Sequence, residues 1–349
     1  MCRRLCRLDC VAYKLVRGGF ESRRMLWGRH VTTVFYLKIG EIEMKLLKTL
    51  KAANKGILAK YKRKLAVSQD SILYCDMDQS VTVARTPDYS ATLQEFDSIA
   101  AFELAGIDNV DLESMPIVEG AIVIDQHDIE TMAWAALACD NESTRYSLGG
   151  VLLTENKIVG TDGRRMHVGT LSAQFPESTD RIIPERAIST LVELCKIWKD
   201  TRIQVVVATN SITFIGQYWK FNSRLIDGRF PNWQQVIPSE RNTEKARDVY
   251  TSGILGQCAD TIKRTALENK VALSKCTKSE RKSFVEKTPL IDLYSTYLDC
   301  RYIVDAVGKL PRVDFCYPEA LNNRLSMPLT ISTITRLAVL MPCKFPARN

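Results

Sequence analysis

The chain has 349 residues, 46% of them hydrophobic and 25% charged, with a formal net charge of +8. That composition predicts an ordinary soluble protein of two or three domains and excludes a membrane helix, because no run approaches about 18 consecutive apolar residues. It also excludes a small disulfide-stapled scaffold: the eleven cysteines stand singly, without CxxC pairs, and predict buried thiols in a reducing compartment.

The charge is unevenly placed. Residues 1–64 hold 17 Lys and Arg against 4 Asp and Glu, whereas the remainder is net acidic. A basic segment on an acidic chain favours a polyanionic partner. The opening MCRRLCRLDCVAYKLVRGGF is Arg-rich and poor in acids, as a transit peptide is, so organellar targeting stays open beside a cytoplasmic, nucleoid-associated location. Residues 1–43 are expected to be an extension, disordered or not translated, with Met44 as the true start. Cys2, Cys6 and Cys10 share a helical spacing but have no matching His or Cys group, so no metal is expected there. Lys45, Lys48, Lys51 and Lys55 then recur at helical spacing.

Further along, KLAVSQDSILYCDMDQSVTVAR reads as strands within a short first domain, residues 44–120. A helix at 125–139 turns Ile129, Met132, Ala133, Ala136 and Leu137 inward, and the runs RYSLGGVLLTE, KIVGT and RMHVGTLSA follow as strands. RIIP leads into a second helix, ERAISTLVELCKIWKD, started at Pro184. RIQVVVAT, SITFIG and YWKFNSRLID supply three more strands. One helix followed by three strands thus occurs twice within a second domain, residues 121–239, at a period of about 50 residues that marks a repeated supersecondary unit. The unit returns more loosely in a third domain, 240–349. There ILGQCADTIKRTALENK and CRYIVDAVGKL are helices, while VALSKC, SFVEK, LIDLYSTYL, VDFCY, LSMPLTI and TRLAVLMPC are strands. Lys196 and Lys199 on one helix, and Lys263, Arg264 and Lys270 on another, fall on solvent faces and suit phosphate contact without base readout.

Catalytic chemistry is sparse. There are three histidines far apart, no Gly-rich phosphate loop, no GxSxG and no HExxH. An enzyme using Asp162 and His167 is the one catalytic reading, set against a plain turn at Asp162-Gly163 and a strand residue at 167. Binding is the expected business of the chain. RLIDGRFPNWQQVIP, at 224–238, poses a question here, since it spends Phe230, Pro231 and Trp233 on a turn. For Phe230 and Trp233 the expectation is ordinary turn packing.

Three stretches carry a resemblance: TRYSLGGVLLTENKIVGTDGRRMHVG (Thr144–Gly169), RLIDGRFPNWQQVIP and AVLMPCKF (Ala338–Phe345). In these the chain resembles the bacterial DNA polymerase III beta-subunit, or sliding-clamp, family, specifically over 121–349 and more weakly over 44–90. The resemblance implies an α+β DNA-clamp fold of repeated β-α-β-β-β units, with two helices per domain facing a central hole and antiparallel sheets outside. It implies a homodimeric ring without active site, cofactor or metal. Such a ring encircles duplex DNA independently of sequence, and tethers the DNA polymerase III catalytic subunit. That polymerase and the clamp loader would dock through linear peptide motifs in a cleft between the second and third domains. By position the cleft would be lined by Leu148, Thr161, Gly163, Arg164, Arg165, Met166, Pro231, Val236, Val339, Leu340, Met341, Pro342 and Cys343. DNA contact would fall to Arg145 and Tyr146, together with Lys48, Lys51, Lys196, Lys199, Lys263 and Arg264.

The chain departs from the family at Gln235 and Cys343, where arginine and methionine are common, and in Pro346–Asn349, which extend past the usual end. Charges at Lys278, Glu280, Arg281 and Lys282 stand where packed strands are expected. The second unit of the first domain, which closes the ring in the family, is eroded after Thr86. The alternative is therefore a clamp-derived adaptor or decoy that binds clamp-motif peptides without closing a ring.

Overall fold

The computed structural model describes residues 29–55, 64–88, 92–105, 111–140, 145–177, 179–239, 243–277, 281, 284–319 and 327–343. The expectations for Cys2, Cys6, Cys10, the Arg-rich start, Lys278, Glu280, Lys282 and Pro346–Asn349 lie outside them. Contacts divide the chain into two units, Met1–Met44 and Lys45–Asn349. Helix α1 (Arg29–Asn54) is all that is described of the first unit, and its part from Lys45 belongs to the second. Helix therefore begins well before Met44. No described helix is long and apolar enough to cross a membrane.

The second unit is built from one recurring pattern. β5 (Ile122–Asp125), α3 (Gln126–Ala136), β6 (Gly150–Leu153), β7 (Lys157–Thr161) and β8 (Arg165–Thr170) form one complete β-α-β-β-β unit. β9 (Arg181–Pro184), α4 (Glu185–Trp198), β10 (Arg202–Val207), β11 (Ser211–Ile215) and β12 (Trp219–Arg224) form another, as the periodicity predicts. A third complete unit closes the chain: β15 (Thr296–Asp299), α6 (Cys300–Val307), β16 (Arg312–Pro318), β17 (Leu329–Ser332) and β18 (Arg336–Leu340). The others are curtailed among the described residues. α1 is followed by β1 (Lys64–Val67), β2 (Ser71–Cys75) and β3 (Gln79–Ala84) without a leading strand. β4 (Gln94–Phe96) and α2 (Ile99–Ala105) lack the strands that should follow, and β13 (Thr243–Tyr250) and α5 (Thr251–Lys275) lead only to β14 (Leu290–Leu293).

Two antiparallel eight-stranded sheets result, ordered β4-β1-β2-β3-β12-β11-β10-β5 and β13-β16-β17-β18-β8-β7-β6-β9. In each, a seam joins segments distant in sequence. β3 pairs with β12 from Gln79↔Ser223 to Val83↔Trp219, and β8 with β18 from Arg165↔Leu340 to Gly169↔Arg336. β14 and β15 make a separate two-stranded hairpin, turned by Tyr294 and Ser295 at φ 53° and 58°. Both central residues at positive φ give the turn whose twist suits a tight hairpin, here without the usual Asn-Gly.

α3, α4 and α6 each bury an apolar stripe. On α1, Leu46, Leu50 and Ala53 are buried at helical spacing. α3 starts with a capping box in which Asp125 and Asp128 each accept from the other's backbone N–H. Gly160 lets β7 come close under α3, since a Cβ there would sit 2.1 Å from the Ala135 carbonyl. Two arginines of the middle segment clamp its flanks. Arg186 donates to the Ala53 and Lys55 carbonyls at the end of α1 and to Asp76 Oδ2 at 2.8 Å. Arg165 reaches α6, as set out below.

Two expected strands are absent. VALSKC forms the last turns of α5, because the Val-Ala-Leu run fits a helical period as well as an extended one. The described part of SFVEK, from 284, is irregular and paired to no strand. α5 buries only Thr251 and Cys258 fully, leaving Leu267 64% exposed.

Candidate peptide-docking cleft

The turn after β12 is fixed by a bridge: Ile226 N–H donates to the Ile182 carbonyl at 2.9 Å, so the chain leaves the sheet beside β9. Phe230 and Trp233 then pack against a cluster made of Leu152, Val159, Met166, Val168, Ile182 and Val339. On the other side of the seam, Met341 N–H donates to the Arg164 carbonyl at 2.9 Å, and Cys343 N–H to the Tyr297 carbonyl at 2.8 Å. The last described residues are thereby held alongside the β7–β8 turn.

That turn depends on Asp162 and Gly163. Asp162 Oδ1 accepts from the backbone N–H of Arg164 and of Arg165, both at 2.8 Å. Gly163 sits at φ +83°, where a side chain would be strained. Thr161 Oγ1 donates to the Arg165 carbonyl at 2.6 Å and accepts from Gly163 N–H.

These segments enclose a cavity of about 140 Å³. Ten of the thirteen expected cleft residues line it: Leu148, Thr161, Gly163, Arg164, Arg165, Met166, Pro231, Val236, Val339 and Met341. Leu340, Pro342 and Cys343 do not. Alternation along β18 explains the first, since Val339 faces the cavity cluster while Leu340 turns into the core beneath α5 and α6. Arg145, Asn232 and Trp233 complete the wall. Trp233, expected only to pack a turn, is part of the lining. Arg145, expected at DNA, also lies here. Pairing of β8 with β18 is what assembles the site, and local periodicity carries no sign of that pairing.

Arg165 links the cavity to its surroundings. Its Nε donates to Asp162 Oδ2 at 3.1 Å, its Nη1 to Asp305 Oδ2, and its Nη2 to the Leu137 carbonyl at 2.6 Å. The guanidinium also stacks 4.5 Å over the Tyr302 ring. Nearby, Trp134 Nε1 donates to the Asp305 and Ala306 carbonyls, occupying orphan acceptors at the end of α6.

Asp162 and His167 do not form a reactive pair. The carboxylate of Asp162 is taken up by its turn and Arg165, while His167 is fully buried and stacked 4.3 Å from Trp134. Burial drives the His167 pKa down to about 4, against the hydrogen bond to the Trp134 carbonyl, which favours the proton. Burial likewise pushes the Cys139 and Cys195 thiols up to about 12, far from thiolate character. Among the described residues no group of His, Cys, Asp and Glu could hold a metal.

The expected DNA-contact residues are all exposed. Lys48 and Lys51 lie on α1, Lys196 and Lys199 at the end of α4. These two helices pack together, with Trp198 Nε1 donating to Thr49 Oγ1 at 3.0 Å and Lys45 over the Trp198 ring. Lys196 pairs with Glu193 at 3.1 Å. Tyr146 stands 86% exposed beside the cleft, and Lys263 and Arg264 are on α5.

Comparison with known proteins gives one consistent answer. Residues 125–232 match the profile described as DNA polymerase III beta subunit, central domain. The chain is 31% identical to the beta sliding clamp of Pseudomonas aeruginosa over 139 residues, 38% of this chain and 36% of that one. It is 27% identical to the beta sliding clamp of Haemophilus influenzae over 202 residues, 53% and 55% of the two chains. The alignments therefore span about a third to a half of these relatives. A putative DNA polymerase III beta subunit from Eubacterium rectale superposes with a TM-score of 0.63 at 15% identity, over 87% of this chain and 98% of that one. The DNA polymerase sliding clamp of P. aeruginosa gives 0.61 at 16%, over 86% and 98%. At such identities the likeness speaks for the fold.

Proposed function

We propose that this chain is a divergent member of the DNA polymerase III beta-subunit family and that it acts as a sliding clamp. In this reading it is a non-catalytic processivity factor of the cytoplasm and nucleoid. Each chain contributes three clamp domains, residues 44–120, 121–239 and 240–349, and two chains close a ring around duplex DNA. Exposed cations on α1, α4 and α5 meet phosphates, so binding is sequence-independent and falls with salt. The cleft takes linear motifs of a DNA polymerase and a clamp loader, an apolar groove with a few fixed polar groups being suited to one or two buried anchors.

The observation that carries the reading is the meeting of Leu148, the β7–β8 turn, the segment after β12 and the residues after β18 around one cavity. Mass by light scattering on the full chain tests the ring. A value near twice 39.4 kDa, with retention on circular but not linear DNA, is expected. A monomer that slides off both would refute ring closure.

One observation favours a second reading. The units β4-α2 and β13-α5-β14 are curtailed, and among the described residues the β14–β15 hairpin joins neither large sheet. A clamp-derived adaptor would need only the cleft, and it is the reading a monomer with intact peptide binding would support.

A further inference from the structure

The cavity is apolar within and cationic at its rim. Three arginines line it and, among the described residues, no acid does. Arg165 is engaged by Asp162 and Asp305. Arg164 is exposed, and its guanidinium makes no hydrogen bond or ion pair among the described residues. Its backbone, by contrast, is pinned at both ends: the N–H to Asp162 and the carbonyl to Met341. A fixed backbone thus holds an unengaged guanidinium at the mouth of an apolar hole.

The hole is small. Its 140 Å³ equals the liquid volume of four or five waters at roughly 30 Å³ each, room for one large apolar side chain and not for a helix face. A guanidinium offers a planar fork of donors that matches a carboxylate, and such a pair forms with little further ordering.

We propose, granted the docking role of the cleft, that it selects acidic linear segments. One apolar side chain of the partner seats against Met166, Val339 and Met341, and an Asp or Glu of the same segment rests on Arg164. The arginine sets specificity and the apolar anchor supplies most of the affinity.

Three labelled synthetic peptides test this by fluorescence anisotropy on the full chain. They share one leucine anchor and differ only in flanking Asp/Glu, Asn/Gln or Lys. The acidic peptide binds about three- to tenfold tighter than the amide peptide at about 0.1 M salt, and the gap narrows at 1 M, where the screening length is about 3 Å. Arg164→Gln removes the gap by weakening the acidic peptide towards the amide peptide, while Arg164→Glu prefers the Lys peptide. Equal affinities in the wild type, or a gap that survives Arg164→Gln, overturn the charge selection and leave the docking role standing. No binding of any peptide, or binding indifferent to Met341→Asp, overturns the docking role and the selection with it. Loss of duplex DNA binding in Arg164→Gln, without any peptide gap, overturns the proposal by assigning the arginine to phosphate.

Discussion

Acid should unfold this protein through His167. The ring stacks on Trp134, and its Nδ1 lies 2.9 Å from the Trp134 carbonyl, which can only accept, so Nδ1 carries the proton. Nε2 is buried and has no hydrogen-bond partner among the described residues. Protonation would place a charge and a donor there with nothing to receive them, next to Arg165 and Arg336, which add repulsion. The folded pKa is about 4, against an ordinary value of 6.5 in the unfolded chain. The unfolded state therefore binds the proton first. Stability is present above pH 6.5 and declines as pH falls towards 4, where the folded state begins to take the proton too. Each tenfold difference in proton affinity between the two states is worth about 1.4 kcal/mol, so the loss is about 2 kcal/mol by pH 5 and about 3 kcal/mol by pH 4. Urea titration followed by tryptophan fluorescence at pH 7 and pH 5 measures it. His167→Asn keeps a donor for the Trp134 carbonyl and has nothing to titrate, so its midpoint should hardly move over that interval. Equal acid sensitivity in the two proteins would refute the reasoning.

Two further predictions rest on single side chains. Arg165→Ala and Asp305→Asn are expected to be non-additive by about 1–2 kcal/mol, because the guanidinium is largely buried and ties α6 to the β7–β8 turn; denaturation of both singles and the double measures this, and additivity within about 0.5 kcal/mol would dismiss the link. Lys199 ends α4 at φ 61°, a left-handed conformation that costs a side chain about 1–2 kcal/mol, so Lys199→Gly should stabilise by about 0.5–1 kcal/mol after glycine's extra unfolded-state entropy is subtracted. A lower melting temperature for that variant would contradict it.

Legibility in the sequence followed the range of the interactions involved. α3, α4 and α6 were readable because their apolar residues recur at helical spacing, and Pro184 marked the start of α4. The β10–β11–β12 run was readable from alternation and short polar turns. The end of α5 was not, since a Val-Ala-Leu run satisfies two periods. The Tyr294-Ser295 turn carries no Gly or Asn to announce its positive φ. The positions of Val339 and Met341 in the cavity wall depend on β8 meeting β18, a pairing between residues about 170 positions apart that no local pattern encodes. The cleft became legible only through family likeness.

The seams have a practical side. β3–β12 and β8–β18 are ordinary ladder pairings, each running through the middle of an eight-stranded sheet. A fragment excised at residues 121 and 239 would carry β12 and β8 as raw outer strands, with buried Phe221, Trp219, Met166 and Val168 beside them. Open ladders flanked by such side chains recruit other copies, so the middle segment should aggregate when expressed alone. Modularity in this chain is a matter of a repeated pattern and not of excision. Anyone dissecting it is better served by point substitutions in the whole protein than by truncation, and recombination at those boundaries would succeed only if both strands of a seam travelled together.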